Sequence, residues 1–99
     1  MKDLLSVVIP VYNEEKSIER AVKMVRRFCP DCELIVVDDG SEDRTRKIAR
    51  SLKVRLVSHK RNMGYGAALK TGFSEAGREY IAFLDADMTY HPKYILLLL

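Results

Sequence analysis

Leu34-Ile35-Val36-Val37-Asp38-Asp39-Gly40-Ser41 is an unbroken apolar run that stops abruptly on two acids, a glycine and a serine. Apolar residues in succession, without polar alternation, suit a strand covered on both faces, and Asp-Gly-Ser suits the turn that ends it. The period then changes. Thr45, Ile48, Ala49 and Leu52 recur at the i, i+3, i+4, i+7 spacing of an amphipathic helix. Ser41 is the expected cap of that helix, with Glu42 and Asp43 at its positive end.

The same order extends both ways along the chain. Upstream, Leu4 to Val11 reads as a covered strand, followed by a helical pattern of Ile18, Ala21, Val22, Val25 and Cys29 with Asn13 as its expected cap. Downstream, Val54 to Ser58 is followed by Tyr65, Ala68, Leu69, Gly72, Phe73 and Ala76 at helical spacing. Tyr80 to Leu84 gives a fourth strand, and a further helix is expected to open near Pro92. Strands alternating with helices give right-handed crossovers, so the predicted fold is α/β: a three-layer, doubly wound, mainly parallel sheet over residues 1–99, cut off after the fourth strand. Ligands in such sheets bind beyond the carboxyl ends of the strands.

Composition agrees with one globular domain. The 99 residues are 47% apolar and 31% charged, which excludes disordered and collagen-like classes. Seventeen Lys+Arg against fourteen Asp+Glu give a net charge of +3, with the basic residues interspersed among acids, which argues against nucleic acid as a partner. No stretch reaches the ~18 apolar residues needed to cross a bilayer. Met1-Lys2-Asp3 leads into a β-type run rather than a signal peptide, so the expected location is cytoplasmic, or peripheral at the cytoplasmic face of a membrane. The chain closes on Ile95-Leu96-Leu97-Leu98-Leu99 without a cap or polar tail, and is therefore expected to be a fragment.

Function should sit at the four strand ends: Pro10-Val11-Tyr12-Asn13-Glu14-Glu15, Asp38-Asp39-Gly40-Ser41, His59-Lys60-Arg61-Asn62-Met63-Gly64 and Asp85-Ala86-Asp87. Asp85 and Asp87 are the sharpest pair. At spacing two on extended chain both carboxylates point the same way, and like charges that close call for a cation or protons between them. Hard oxygen ligands suit Mg²⁺ or Mn²⁺ rather than zinc, with a diphosphate as the natural guest. A dinucleotide-binding turn is excluded, because the first loop has no glycine and carries Glu14 and Glu15, which repel phosphate. Glu14 and Asp39 suit instead the N–H and hydroxyl donors of a nucleoside. Gly64-Tyr65-Gly66 reads as a turn that starts a helix. Cys29-Pro30-Asp31-Cys32 follows a helix and meets its negative end, so it is expected as a reduced loop pair rather than a redox centre. His59 and His91 are expected as polar loop residues.

Taken together, Val8-Ile9-Pro10-Val11-Tyr12-Asn13-Glu14, Val36-Val37-Asp38-Asp39-Gly40-Ser41 with Asp43 and Thr45, Asn62-x-Gly64-x-Gly66-x-Ala68 and Phe83-Leu84-Asp85-Ala86-Asp87 resemble the nucleotide-binding half of the family-2, GT-A fold glycosyltransferases. Asp85 to Lys93 is most similar to the dolichol-phosphate mannosyltransferase branch. The resemblance implies that Pro10, Tyr12 and Glu14 line a nucleoside pocket, that Asp39 accepts a hydrogen bond from the base, and that Val37 packs beside it. It implies that Asp85, Ala86 and Asp87 form the D-x-D motif, with Asp85 and Asp87 holding a divalent cation on the diphosphate of GDP-mannose or a UDP-sugar. It further implies transfer of the sugar to an acceptor such as a polyprenyl (dolichyl) phosphate.

The sequence departs from the family in three places. Gly77 falls one residue early in the turn before Tyr80, Thr89 stands where some members carry a metal-touching Gln, and the acceptor half with its carboxylate general base is absent from these residues. Lys60 and Arg61 are either phosphate contacts or solvated charges. Two other functions stay open: a nucleotide-binding assembly module without turnover, and a phosphatase reading of Asp85-Ala86-Asp87-Met88-Thr89 as D-x-D-x-T. An exposed fourth strand, Tyr80 to Leu84, or the leucine tail is expected to drive self-association.

Overall fold

Strand β1 (Leu5–Val11) is buried at every position. It has a hydrogen-bonded neighbour on each side and helices on both faces, which is what an unbroken apolar run requires. The computed structural model describes residues 4–87. After β1 come α1 (Ile18–Phe28), β2 (Glu33–Asp38), α2 (Thr45–Ser51), β3 (Arg55–Ser58), α3 (Tyr65–Glu75) and β4 (Tyr80–Phe83). The four strands form one parallel sheet in the order β3-β2-β1-β4. Its register pairs Val8 with both Ile35 and Phe83, and Val37 with Val57.

The period-2 alternation of the strands sorts the core into two layers. Leu5, Val7, Ile9 and Val11 face α1, where Ile18, Ala21, Val22 and Val25 are buried, with Ala49 of α2 in the same cluster. Val8, Ile35 and Val37 face α3 and meet Ala68. Full burial of a Val, Leu or Ile side chain stabilises by about 1.5–3 kcal/mol, so the larger cluster, on the α1 side, contributes most of the buried apolar stabilisation. Helix α3 approaches closely because Gly72 faces the sheet, where a Cβ would collide with the side chain of Val8.

Several local expectations are corrected. Among the described residues strands β3 and β4 are the two edges; the exposed edge expected at Tyr80 to Leu84 is present, whereas β3, expected to be covered, is only partly so. Tyr80 and Ile81 are exposed on the β4 edge, whereas Ala82 and Leu84 are buried. Asn13 does not cap α1, whose first turn follows Ser17, and Ser41 does not cap α2, which follows Arg44. Both side chains bond between loops instead. Tyr65 and Phe73, expected on the apolar stripe of α3, are exposed, because the small residues Ala68 and Gly72 make the close contact with the sheet. The turn after α1 brings Cys29 and Cys32 together, with their Cα atoms 5.5 Å apart, close enough to be bridged. The expected helix near Pro92, Thr89, His91 and the tail Ile95 to Leu99 lie outside the described residues. Among the described residues no helix is long and apolar enough to cross a membrane.

Candidate functional site

The strand order reverses between β1 and β4, so the loops leaving these two strands part and open a crevice at the carboxyl edge. A cleft of about 520 Å³ lies there.

Its first wall is the loop after β1. Asn13 adopts φ 52°, a left-handed conformation that Asn tolerates, and turns the chain toward α1. The freed amides are caught by the second loop: Asn13 N–H donates to Ser41 Oγ at 2.9 Å, Glu14 N–H to Thr45 Oγ1 at 2.8 Å and Glu15 N–H to Asp43 Oδ2 at 3.3 Å. In return Glu42 N–H donates to Asn13 Oδ1 at 2.9 Å. Ser41, Asp43 and Thr45 thus splice the two loops and fix where Tyr12 and Glu14 stand. Burial pushes the Asp43 carboxyl up, but hydrogen bonds from Thr45 and Glu15 outweigh it and leave the group below its ordinary value.

The second loop carries two acids with different surroundings. Asp38 is fully buried and paired with Arg46 Nε at 2.8 Å, so it holds α2 and lies off the cleft. Asp39 sits at the end of the ladder, its N–H on Val11 O at 2.8 Å. Its Oδ1 accepts from His59 Nδ1 and Met63 N–H, each at 2.8 Å, and its Oδ2 from Gly64 N–H at 2.9 Å and Asn62 Nδ2 at 3.2 Å. Burial raises this group too, yet the bonds from His59, Met63 and Gly64 hold it below the usual carboxylate range. Gly40 permits the arrangement at φ 74°, where a Cβ would fall on the Arg61–Asn62 backbone.

The far wall follows β4. Leu84 N–H donates to Val8 O at 3.0 Å, which sets Asp85, Ala86 and Asp87 just past the sheet. Tyr65 Oη donates to Asp85 Oδ1 at 2.7 Å. Glu14 faces this wall, and its carboxyl is raised by burial first, then by the negative charge of Asp87, Asp43 and Asp85. Among the described residues no three or more metal-ligand side chains gather around one point, so the carboxylates here form an open set.

Of the residues singled out from sequence, Pro10, Tyr12, Glu14 and Asp39 line the cleft, together with Asp85, Ala86 and Asp87. Val37 does not; the alternation of β2 turns it under α3 into the core beside Val8 and Ile35. Lys60 and Arg61 are exposed and stand off the cleft wall. Asn62, Gly64, Tyr65 and Ala68 also line it, and none of the four was given a role at the site from sequence. His59, expected as a polar loop residue, is in addition a bridge: Nδ1 to Asp39 and Nε2 to Thr71 Oγ1, each at 2.8 Å.

A doubly wound parallel sheet with an acidic, glycine-poor cleft at its switch point defines a nucleotide-diphospho-sugar-binding fold of the GT-A type. Residues 6–99 match Glycosyl transferase family 2, and the chain belongs to that family. It is 38% identical over 101 residues to the undecaprenyl-phosphate 4-deoxy-4-formamido-L-arabinose transferase of Proteus mirabilis, covering 92% of this chain and 31% of that protein. Among solved structures, glucosyl-3-phosphoglycerate synthase from Mycobacterium tuberculosis, in complex with Mn²⁺, UDP and glucosyl-3-phosphoglycerate, superposes with a TM-score of 0.80 at 30% identity over 93% of this chain and 37% of that one. The mannosyltransferase PcManGT from Pyrobaculum calidifontis, in complex with GDP-Man and Mn²⁺, gives 0.79 at 28% identity over 85% and 27%. The chain thus spans about a third of the length of these relatives. Family membership also removes the phosphatase reading of Asp85 to Thr89.

Proposed function

We propose that residues 1–99 are the donor-binding part of a glycosyltransferase that takes the sugar from a nucleotide-diphospho-sugar and passes it to a polyprenyl phosphate. The observation that carries this reading is the meeting of Tyr12 and Glu14, Asp39, and Asp85 and Asp87 on one cleft at the switch point. The exposed ring of Tyr12 gives a base a stacking face. Glu14 accepts from ribose hydroxyls, and Asp39 accepts from uracil N3–H or from guanine N1–H and N2–H. Pro10 and Ala86 supply apolar wall between these polar contacts.

The carboxylates fit Mg²⁺ or Mn²⁺, because Asp85 and Asp87 offer hard oxygens and leave coordination positions to donor phosphates and water. Glu14 is raised by burial first and then by the negative charge of Asp87, Asp43 and Asp85, and a cation beside Asp85 and Asp87 would relieve the second effect. When bound, the ion supplies Lewis-acid neutralisation of the nucleoside diphosphate as leaving group. This chain's own residues orient the donor: Tyr65 fixes Asp85, Thr45 and Asp43 hold the Glu14 and Glu15 amides, and the acidic first loop keeps the phosphates on the β4 side. The named relatives support the chemistry, two being solved with Mn²⁺ and a UDP or GDP compound and one being an undecaprenyl-phosphate transferase. On this reading the protein works in the cytoplasm or peripherally at the cytoplasmic face of a membrane, where it would meet a lipid-borne acceptor.

Calorimetric titration with UDP-glucose, UDP-N-acetylglucosamine and GDP-mannose, each with Mn²⁺ and again with chelator, tests this reading. Metal-dependent binding that prefers one base is the expected result. Absence of binding to every donor contradicts it.

A further inference from the structure

We propose that His59, backed by Thr71, is the positioning residue that orients the Asp39 carboxylate for base recognition; this rests on the donor-cleft reading above. The His59 side chain is only 10% exposed and ties three elements together, reaching from the end of β3 to Asp39 after β2 and to Thr71 in α3. An ionised carboxylate only accepts, so Nδ1 carries the hydrogen, while Nε2 and the Thr71 hydroxyl share the second hydrogen bond. Neither His59 nor Thr71 lines the cleft; they stand behind Asp39.

The consequence is a division of labour between the two carboxylate oxygens. Oδ1 is committed to His59 and Met63 N–H, both at 2.8 Å. Oδ2 holds Gly64 N–H at 2.9 Å and the Asn62 amide at 3.2 Å, the longest of the four contacts and the one made by an exposed side chain on the cleft wall. A carboxylate offers about four lone-pair sites, so a base N–H enters by replacing a partner. With the imidazole locking Oδ1, the replaceable partner is Asn62 and the reading oxygen is Oδ2. Without the ring the carboxylate turns about its own bond, and the direction offered to a base is lost.

Three variants separate the parts: His59→Asn keeps an N–H donor toward Asp39 and drops Thr71, His59→Leu drops both, and Thr71→Val removes the hydroxyl while keeping the shape. Affinities are measured by calorimetry for UDP and GDP with Mn²⁺, and for their N3-methyl and N1-methyl counterparts, at a temperature where each variant is folded by circular dichroism. His59→Leu should weaken binding of the preferred diphosphate about tenfold, the size of one hydrogen bond to a charged group, and should abolish most of the preference over the methylated base. His59→Asn should stay within about threefold of the native chain, and Thr71→Val should fall between them. A residue that serves folding alone would lower the melting temperature and leave the preference over the methylated base intact. Native affinity and native methyl discrimination in folded His59→Leu overturn the proposal.

A ligand-free ¹H–¹⁵N spectrum decides the positioning claim separately. The Met63 and Gly64 amides should lose their protection against hydrogen exchange in His59→Leu and keep it in His59→Asn. If the native chain binds no nucleoside diphosphate, the donor-cleft reading fails; unchanged Met63 and Gly64 amides in folded His59→Leu would then overturn the positioning claim as well.

Discussion

The phenolic oxygen of Tyr65 lies 2.7 Å from Oδ1 of Asp85, so the first residue of α3 holds the carboxylate at the end of β4. A side chain that orients one member of the acidic pair should matter for the cation more than for the fold, since Tyr65 is half exposed. Tyr65→Phe is expected to weaken Mn²⁺-dependent donor binding about three- to tenfold, the net contribution of one ordinary solvent-exposed hydrogen bond. The melting temperature should change little. Calorimetry beside thermal unfolding checks both halves.

Thr45 is fully buried and its hydroxyl receives the Glu14 amide. Thr45→Val keeps the shape and leaves that N–H without a partner, at a cost of about 1–3 kcal/mol. In a domain of this size each kcal/mol lowers the melting temperature by about 4–8 °C. Donor affinity should fall too, because the loop that carries Tyr12 and Glu14 is released from the second loop.

Gly40 joins a left-handed φ of 74° to a backbone approach that leaves no room for a Cβ beside Arg61 and Asn62. Gly40→Ala is therefore expected to destabilise by more than the about 1 kcal/mol of a left-handed non-glycine residue alone. Denaturant unfolding measures it. A variant as stable as the native chain would mean that the second and third loops do not touch as described.

Acid should unfold the protein through three carboxylates. Glu33 is held below its ordinary 4.5 by the Gly77 N–H and the Ser6 hydroxyl, with Arg55 and Arg78 adding to the effect against some burial. Asp39 and Asp43 lie below their ordinary 3.8 despite burial, through hydrogen bonds. Groups depressed in the folded state contribute stability that is fully present above their unfolded values and is lost as pH falls through the folded ones. Glu14 has the opposite sign: its raised carboxyl penalises the fold at higher pH, and the penalty disappears below 4.5. Stability should therefore fall steeply below pH 4.5, and Glu33→Gln should flatten that fall. Chemical denaturation across pH 3–6 shows whether it does.

Strand β4 ends the sheet among the described residues and shows Tyr80 and Ile81 to solvent. Open backbone groups beside apolar side chains invite pairing with a second copy. Light scattering at high concentration should show self-association, reduced by Ile81→Lys. A monomer throughout contradicts this.

The sequence made most of the scaffold readable because its apolar period changes cleanly from strand to helix. Val36-Val37 followed by Asp38-Asp39-Gly40 could hardly be other than a covered strand meeting the ligand edge, and β2 ends at Asp38. The acidic pair was legible for the same reason, since Asp85 follows an apolar strand. What was not legible depends on partners distant in sequence. Asn13 and Ser41 have the chemistry of caps, but the left-handed turn at Asn13 directs their hydrogen bonds from loop to loop. Val37 has the right neighbours in sequence for a base contact and the same strand parity as Asp39, but it lies one step deeper, covered by α3. His59 acquires its place only when β2, β3 and α3 are assembled, since Asp39 and Thr71 lie 20 and 12 residues away.

The central claim is that one cleft holds a nucleoside diphosphate and a divalent cation together, and paramagnetic broadening by Mn²⁺ tests it most directly. With UDP or GDP present, substoichiometric Mn²⁺ should broaden the amide resonances of Asp85, Ala86 and Asp87 first and those of Glu14 next, and Asp85→Asn with Asp87→Asn should remove the effect. Broadening centred elsewhere, or persisting in the double variant, would contradict the account.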